Sequence, residues 1–184
     1  MTNAPVASIE IRVDEITQLF NTLDPVPFHE RDMDQDAEEF IVGWARELPR
    51  NRPLRLVIHL PKHETQGERA AKLEDALSRY FSYRADMVSR DLSEMFRIGR
   101  LSLAIGLSVL AVCTLARELL RGSVLESDLG GYFSEGLLIL GWVANWRPIE
   151  IFLYSWWPLA RTRNLYRRLA AAEVVLEADA RTAG

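Results

Sequence analysis

The sequence predicts an α+β membrane protein: a small cytoplasmic β-α-α-β unit, a long stalk helix, a two-helix transmembrane hairpin and a C-terminal amphipathic helix. Three observations carry that prediction. Residues 1–100 are polar and heavily charged, whereas residues 101–116 contain no charged side chain. A second apolar stretch follows Glu135 and reaches Trp157, interrupted only by Arg147 and Glu150. Ahead of both, two short runs with strand periodicity bracket helix-patterned sequence. The averages, 48% hydrophobic and 26% charged, would suit an ordinary soluble domain. Segregation along the chain, not composition, points to a membrane.

Residues 1–63 form the β-α-α-β unit. Ser8 to Val13 alternates apolar and polar side chains, the period of a half-buried strand. Asp14 opens a short helix holding Ile16, Leu19 and Phe20, and a turn follows at Asp24-Pro25-Val26-Pro27. A longer helix runs from Asp34 to Glu47, with Phe40, Ile41 and Trp44 on its apolar face and Ala37 a turn earlier. Leu54 to Leu60 is the second strand, ended by Pro61. A unit of about 60 residues has a small core, and two strands leave open edges. It is expected to pack on the next helix or to pair with its copy in another subunit.

Residues 64–96 read as a stalk helix. Leu73, Leu77, Tyr80, Met87 and Met95 approximate spacings of three and four, and Phe81, Val88 and Leu92 broaden the stripe. Residues 97–120 form the first membrane span, apolar on every side and flanked by arginines that can snorkel. Ser102 and Gly106, and likewise Ala104 and Ser108, are small residues four apart that allow close helix packing. Residues 121–135 form an extracytoplasmic loop.

Residues 136–158 form the second span. Its first part, to Trp146, rises only about 16 Å, whereas continuation to Trp157 gives about 33 Å and crosses a core of about 30 Å. Arg147 and Glu150 then form a polar pair near the midplane, with a helix kink at Pro148. The alternative is a break at Pro148 that leaves the second half re-entrant or interfacial. Residues 159–184 form an amphipathic helix and tail, with Leu165, Leu169, Ala172 and Leu176 on one side.

Arginine placement sets the orientation. Arg84, Arg90, Arg97 and Arg100 precede the first span, and Arg161, Arg163, Arg167 and Arg168 follow the second. The loop region offers Arg117 and Arg121 against Glu118, Glu126, Asp128 and Glu135. The positive-inside rule then puts both termini in the cytoplasm, which for a bacterial chain means the inner membrane. Trp156, Trp157, Arg97, Arg100, Arg161 and Arg163 serve as membrane-interface anchors. The start, Met-Thr-Asn-Ala-Pro, lacks the pattern of a cleaved signal peptide, so the internal segments direct insertion.

The sequence offers little to catalysis. Asp32, Asp34 and Asp36 alternate, but Ala37 and Gly43 stand where a calcium loop needs glycine and glutamate. Asp34 reads instead as a helix cap whose acidic first turn complements the dipole. Pro61 separates His59 from His63 and prevents a helical zinc pair. One cysteine, Cys113, excludes an intrachain disulfide. A net charge of -4, with arginines clustered beside the apolar segments and no separate basic stripe, leaves no nucleic-acid footprint. No enzyme, metal or cofactor is expected.

The expected role is a membrane-anchored interaction or assembly protein. Its partners are the lipid bilayer and further copies or other membrane subunits, since two helices cannot enclose a charged pair at mid-depth. The alternative is a homo-oligomeric ion channel or transporter with Arg147 and Glu150 lining the path.

Overall fold

A computed structural model describes residues 6–21, 32–120 and 128–179. They fall into two compact units: Met1–Val88 with Arg161–Gly184, and Ser89–Ala160. The chain is mostly helical, with a small three-stranded parallel sheet and two long apolar helices.

In the first unit, β1 (Ala7–Arg12) pairs in parallel with β2 (Leu54–Leu60), with Ile9 opposite Leu56 and Ile11 opposite Ile58. Between them lie a 3-10 turn (Ile16–Leu19) and α1 (Gln35–Glu47). The short helix expected after Asp14 is only that single turn. Phe20 then leaves it to bridge Met33, and Asn21 N donates to Asp32 O at 2.8 Å. The turn expected at Asp24-Pro25-Val26-Pro27 lies outside the described residues. Asp34 caps α1, its carboxylate accepting from Asp36 N at 3.0 Å and Ala37 N at 3.4 Å.

The face that α1 buries differs from the pattern in the sequence. Ile41, Val42 and Ala45 are buried, while Phe40 and Trp44 are 45% and 50% exposed. Both apolar stripes suit a helix, and the sheet selects the narrower, smaller set. Phe40 and Trp44 meet each other instead, ring centres 6.1 Å apart.

The C-terminal segment corrects the expected amphipathic helix. Helix α5 (Trp156–Ala170) stops at Ala170, and Glu173–Ala178 becomes β3, parallel to β2 with Leu176 opposite Ile58. Leu165, Leu169, Ala172 and Leu176 do recur at helical spacing. Yet Val174 and Leu176 also alternate with Glu173 and Glu177, the period of a strand. The unpaired backbone edge of β2 decides between them, because it supplies the hydrogen bonds that a helix end would lack.

Helix α2 runs from Glu68 to Leu120, beginning one turn later than the expected stalk. Its N-terminal part packs on the small unit: Ala70, Leu73, Ala76, Leu77, Phe81 and Ala85 are buried in the core. Ile9, Leu56, Ile58 and Leu60 from the sheet, Ile41 from α1, and Tyr166 and Leu169 from α5 complete that core. The opposite sheet face carries ion pairs on either side of the apolar pair Val57 and Val175. Arg55 reaches Glu173 at 2.8 Å, and Arg12 reaches Asp179 at 2.9 Å.

The second unit contains the rest of α2, α3 (Asp128–Ala144), the short α4 (Trp146–Glu150) and a π-helical turn (Ile151–Ser155) leading into α5. The second apolar helix thus begins eight residues before Gly136, and its regular run breaks at Asn145.

Thermal melts of single variants check the core assignment. Ile58→Ala is expected to cost about 2–5 kcal/mol through lost contacts and a cavity. Trp44→Ala is expected to stay within about 0.5 kcal/mol, as at other exposed sites. A reversed order would restore the stripe that the sequence pattern favours.

Candidate functional site

The polar residues of the second unit are placed by a seam of small side chains. Along α2, Leu92, Gly99, Gly106 and Cys113 are buried, each seven residues from the next. Phe96, Leu103, Leu110 and Arg117 repeat at the same interval and are half-buried. This is a heptad, the repeat that keeps one stripe of a helix against a neighbour. The buried stripe facing it is Gly141, Asn145, Pro148 and Ile151.

Glycine is required where the two backbones meet. A Cβ on Gly106 would lie 2.7 Å from Asn145 Oδ1 and 2.9 Å from Ala144 O. On Gly141 it would lie 2.7 Å from Leu110 Cδ1 and 3.3 Å from Leu110 Cα. On Gly99 it would lie 2.9 Å from Ile151 Cγ2. At the far end, Arg117 Nε donates to Ser134 Oγ at 2.7 Å. These contacts fix an antiparallel register in which Gly99 faces Ile151, Gly106 faces Asn145, and Arg117 faces Ser134. On the same register Glu150 is level with Arg100, and Arg147 is level with Leu103 and Ala104.

Pro148 explains the break beside Gly106. It has no N–H to offer Ala144 O, the carbonyl four residues earlier, so that bond is missing. The helix is interrupted at Asn145 rather than at Pro148 itself, and Ile149 N resumes the ladder to Asn145 O at 3.3 Å. The freed Ala144 carbonyl rests against Gly106, where only a glycine leaves room. Asn145 is the one buried polar side chain among the described residues, and its Nδ2 donates to Gly106 O at 3.0 Å and Gly141 O at 2.8 Å. Its amide therefore ties the two helices together through backbone groups.

The pair Arg147–Glu150 forms within one helix, Nη1 to Oε2 at 3.1 Å. Both side chains point away from the seam, 69% and 45% exposed. Gly106 lies in the contact and Ser102 is half-buried, while Ala104 and Ser108 face outward, with Ser108 Oγ bonded to Ala104 O at 2.8 Å. Trp156 is half-buried, its ring 6.4 Å from Phe96, whereas Trp157 is 58% exposed. Arg97, Arg100 and Arg161 are exposed. Arg163 is half-buried in the first unit, where its Nη2 contacts Asn164 Oδ1 at 3.4 Å.

The first unit holds a polar cluster that the sequence reading missed. Glu38 on α1 accepts from Tyr80 at 2.7 Å, from Arg84 Nε at 2.9 Å and from Tyr166 at 2.8 Å. Burial, followed by the bond and charge of Glu38, pushes the Tyr80 hydroxyl well above its ordinary value of 10.0. Burial and the bond to Glu38 also raise Tyr166, with Arg84 opposing. Burial works against the charge on Arg84, but Tyr166 and Glu38 prevail and hold the guanidinium above its usual range. Chemically the cluster is a clamp: one carboxylate receives donors from two other helices. The residues are far apart in sequence, and only their burial pattern brings them together.

His59 on β2 has its ring nitrogens 3.6 Å from Glu10 and 3.7 Å from Glu177, on the two neighbouring strands. Among the described residues no group of three histidine, cysteine, aspartate or glutamate side chains is arranged to hold a metal ion. No protein-family model, curated protein or solved structure matches this chain.

Two expected outcomes follow from this geometry. Gly106→Val should destabilise the helix pair by about 1–3 kcal/mol through overpacking, read by thermal melting in detergent. Ser108→Val, on the outward face, should not. Separately, the tyrosines keep their protons longer in the folded than in the unfolded chain. The stability they contribute is complete below pH 10.0 and is lost as pH rises beyond it. Tyr80→Phe with Tyr166→Phe should lower stability at neutral pH by about 1–3 kcal/mol per lost bond and flatten the alkaline decline. An equally steep decline in that variant would contradict the assignment.

Proposed function

We propose that the chain is a membrane-anchored interaction or assembly protein. Its hairpin of α2 and α3–α4 spans the inner membrane and holds the sheet-bearing unit in the cytoplasm. The observation that carries this reading is the outer surface of the helix pair. Within the most apolar 18-residue window of each helix, only 17% and 22% is buried. Leu101, Ile105, Val112 and Leu115 are more than half exposed on one helix, as are Ile139, Leu140, Trp142 and Val143 on the other. Helices apolar around their whole circumference need a nonaqueous surrounding, since exposed apolar area costs about 25 cal/mol per Å² in water. The arginine bias supports cytoplasmic termini.

Assembly is argued from the first unit. Strands β1 and β3 are both edges of the sheet, and exposed edges accept further strands. Phe40 and Trp44 add an exposed aromatic pair. Together they favour self-association or a second membrane subunit over a solitary anchor.

Fractionation and particle size test the two halves separately. The protein should stay with membranes through an alkaline carbonate wash, and release there would end the membrane reading. In mild detergent the particle should exceed one 21.0 kDa chain, whereas a single chain would end the oligomer reading alone. A path for ions would instead show as conductance in liposomes that changes with Arg147→Met and Glu150→Gln.

A further inference from the structure

The register of the hairpin bears on where its charges meet the bilayer. Between Arg100 and Arg117 helix α2 carries no charge, a rise of about 25 Å. Between Glu135 and Arg147 the facing segment carries none, a rise of about 18 Å. The two uncharged runs stop at one level at the Arg117 end, because Arg117 faces Ser134, whereas at the other end the run of α2 continues about one turn past the level of Arg147. Their charged ends follow: Arg117 and Glu135 share one end, and Arg100 and Glu150 share the other, with Arg147 one turn inside it, within snorkelling reach.

Aromatic side chains repeat the division. Tyr132 and Phe133 are 73% and 72% exposed near the Arg117 end. Trp146 and Tyr154 are 70% and 71% exposed near the Arg147 end. Exposed rings and arginines gather at the two faces of a bilayer, where apolar bodies and polar tips are both satisfied. From Phe133 to Glu150 the helix rises about 25 Å, the same as the uncharged run of α2 and within the range that a hydrocarbon core of about 30 Å with snorkelling ends accepts.

We propose that Arg100, Arg147 and Glu150, with the exposed rings of Trp146 and Tyr154, form a contact band for phospholipid headgroups of the cytoplasmic leaflet. The hydrocarbon-spanning part of the second segment then ends near Glu150, and residues 151–160 lie beyond it. This rests on the membrane placement proposed above. It removes Arg147 from the midplane, where span length alone would put it. The exposed Arg147–Glu150 pair needs no protein enclosure at that level, because a guanidinium can reach phosphate while remaining near its carboxylate.

Cysteine accessibility tests the band in the full chain. Ile139, Val143, Leu153 and Tyr154 all face outward, so each can be replaced by cysteine singly on a Cys113→Ala background. In sealed vesicles, a membrane-impermeant maleimide is then added from the cytoplasmic side. Leu153→Cys and Tyr154→Cys should react at least an order of magnitude faster than Ile139→Cys and Val143→Cys. If Leu153→Cys and Tyr154→Cys resist as Ile139→Cys does, the span continues past Glu150 and the proposal is overturned. Fast reaction at all four positions would mean that the helices are not in a bilayer, and the membrane reading fails instead.

Discussion

The close approach of two helix backbones at Gly106 constrains more of the second unit than any charged residue does. Pro148 withholds a hydrogen bond from Ala144 O, and the carbonyl moves into the space a side chain would fill. Asn145 then donates to Gly106 O and Gly141 O at 3.0 Å and 2.8 Å. A neutral amide suits this place: it supplies two donors to backbone oxygens with no charge to desolvate. Once these groups are locked, one register is favoured, because sliding by one residue would put Leu107 or Ile105 where only glycine fits. The levels of Arg100, Arg147 and Glu150 are consequences of that lock.

The first unit depends on a different long-range closure. Its central strand, β2, is completed on one side by sequence that precedes it and on the other by sequence more than a hundred residues later. The apolar helices are therefore an insertion between two parts of one sheet. Glu38 reinforces the closure, since Arg84 and Tyr80 come from before the insertion and Tyr166 from after it. A carboxylate only 13% exposed is costly unless its oxygens are satisfied. Here three side chains satisfy it, so loss of the returning segment would leave the charge under-bonded as well as the sheet edge open.

Local signals in the sequence located β1, α1, β2 and the two apolar segments, because each is set by nearby periodicity. The end of the chain was ambiguous for a physical reason. Leu165, Leu169, Ala172 and Leu176 satisfy a helix, while Val174 and Leu176 between acidic neighbours satisfy a strand. Only the partner edge of β2, distant in sequence, decides. Phe40 and Trp44 show the same limit on α1: hydrophobicity marks two candidate faces, and the smaller residues fit the sheet. In the hairpin, the small-residue spacing of four marks Gly106, which lies in the contact, and equally Ala104 and Ser108, which face outward. The stronger signal was the spacing of seven through Gly99, Gly106 and Cys113, together with an asparagine in an apolar run.

Arg147-Pro148-Ile149-Glu150 brings these strands of argument together. Taken alone, the four residues suggest charges stranded in hydrocarbon beside a kink. The hairpin gives the middle two a packing role: Pro148 is buried in the seam and sets the break at Asn145. It turns the outer two away from the seam, Glu150 at the level of Arg100 and Arg147 one turn inside it. A charge at mid-depth costs several kcal/mol even after relaxation, whereas one near the headgroups can snorkel out of the hydrocarbon. The same four residues can therefore pack the helix pair and close its apolar run, with the proline acting inward on the partner helix and the ion pair turned outward.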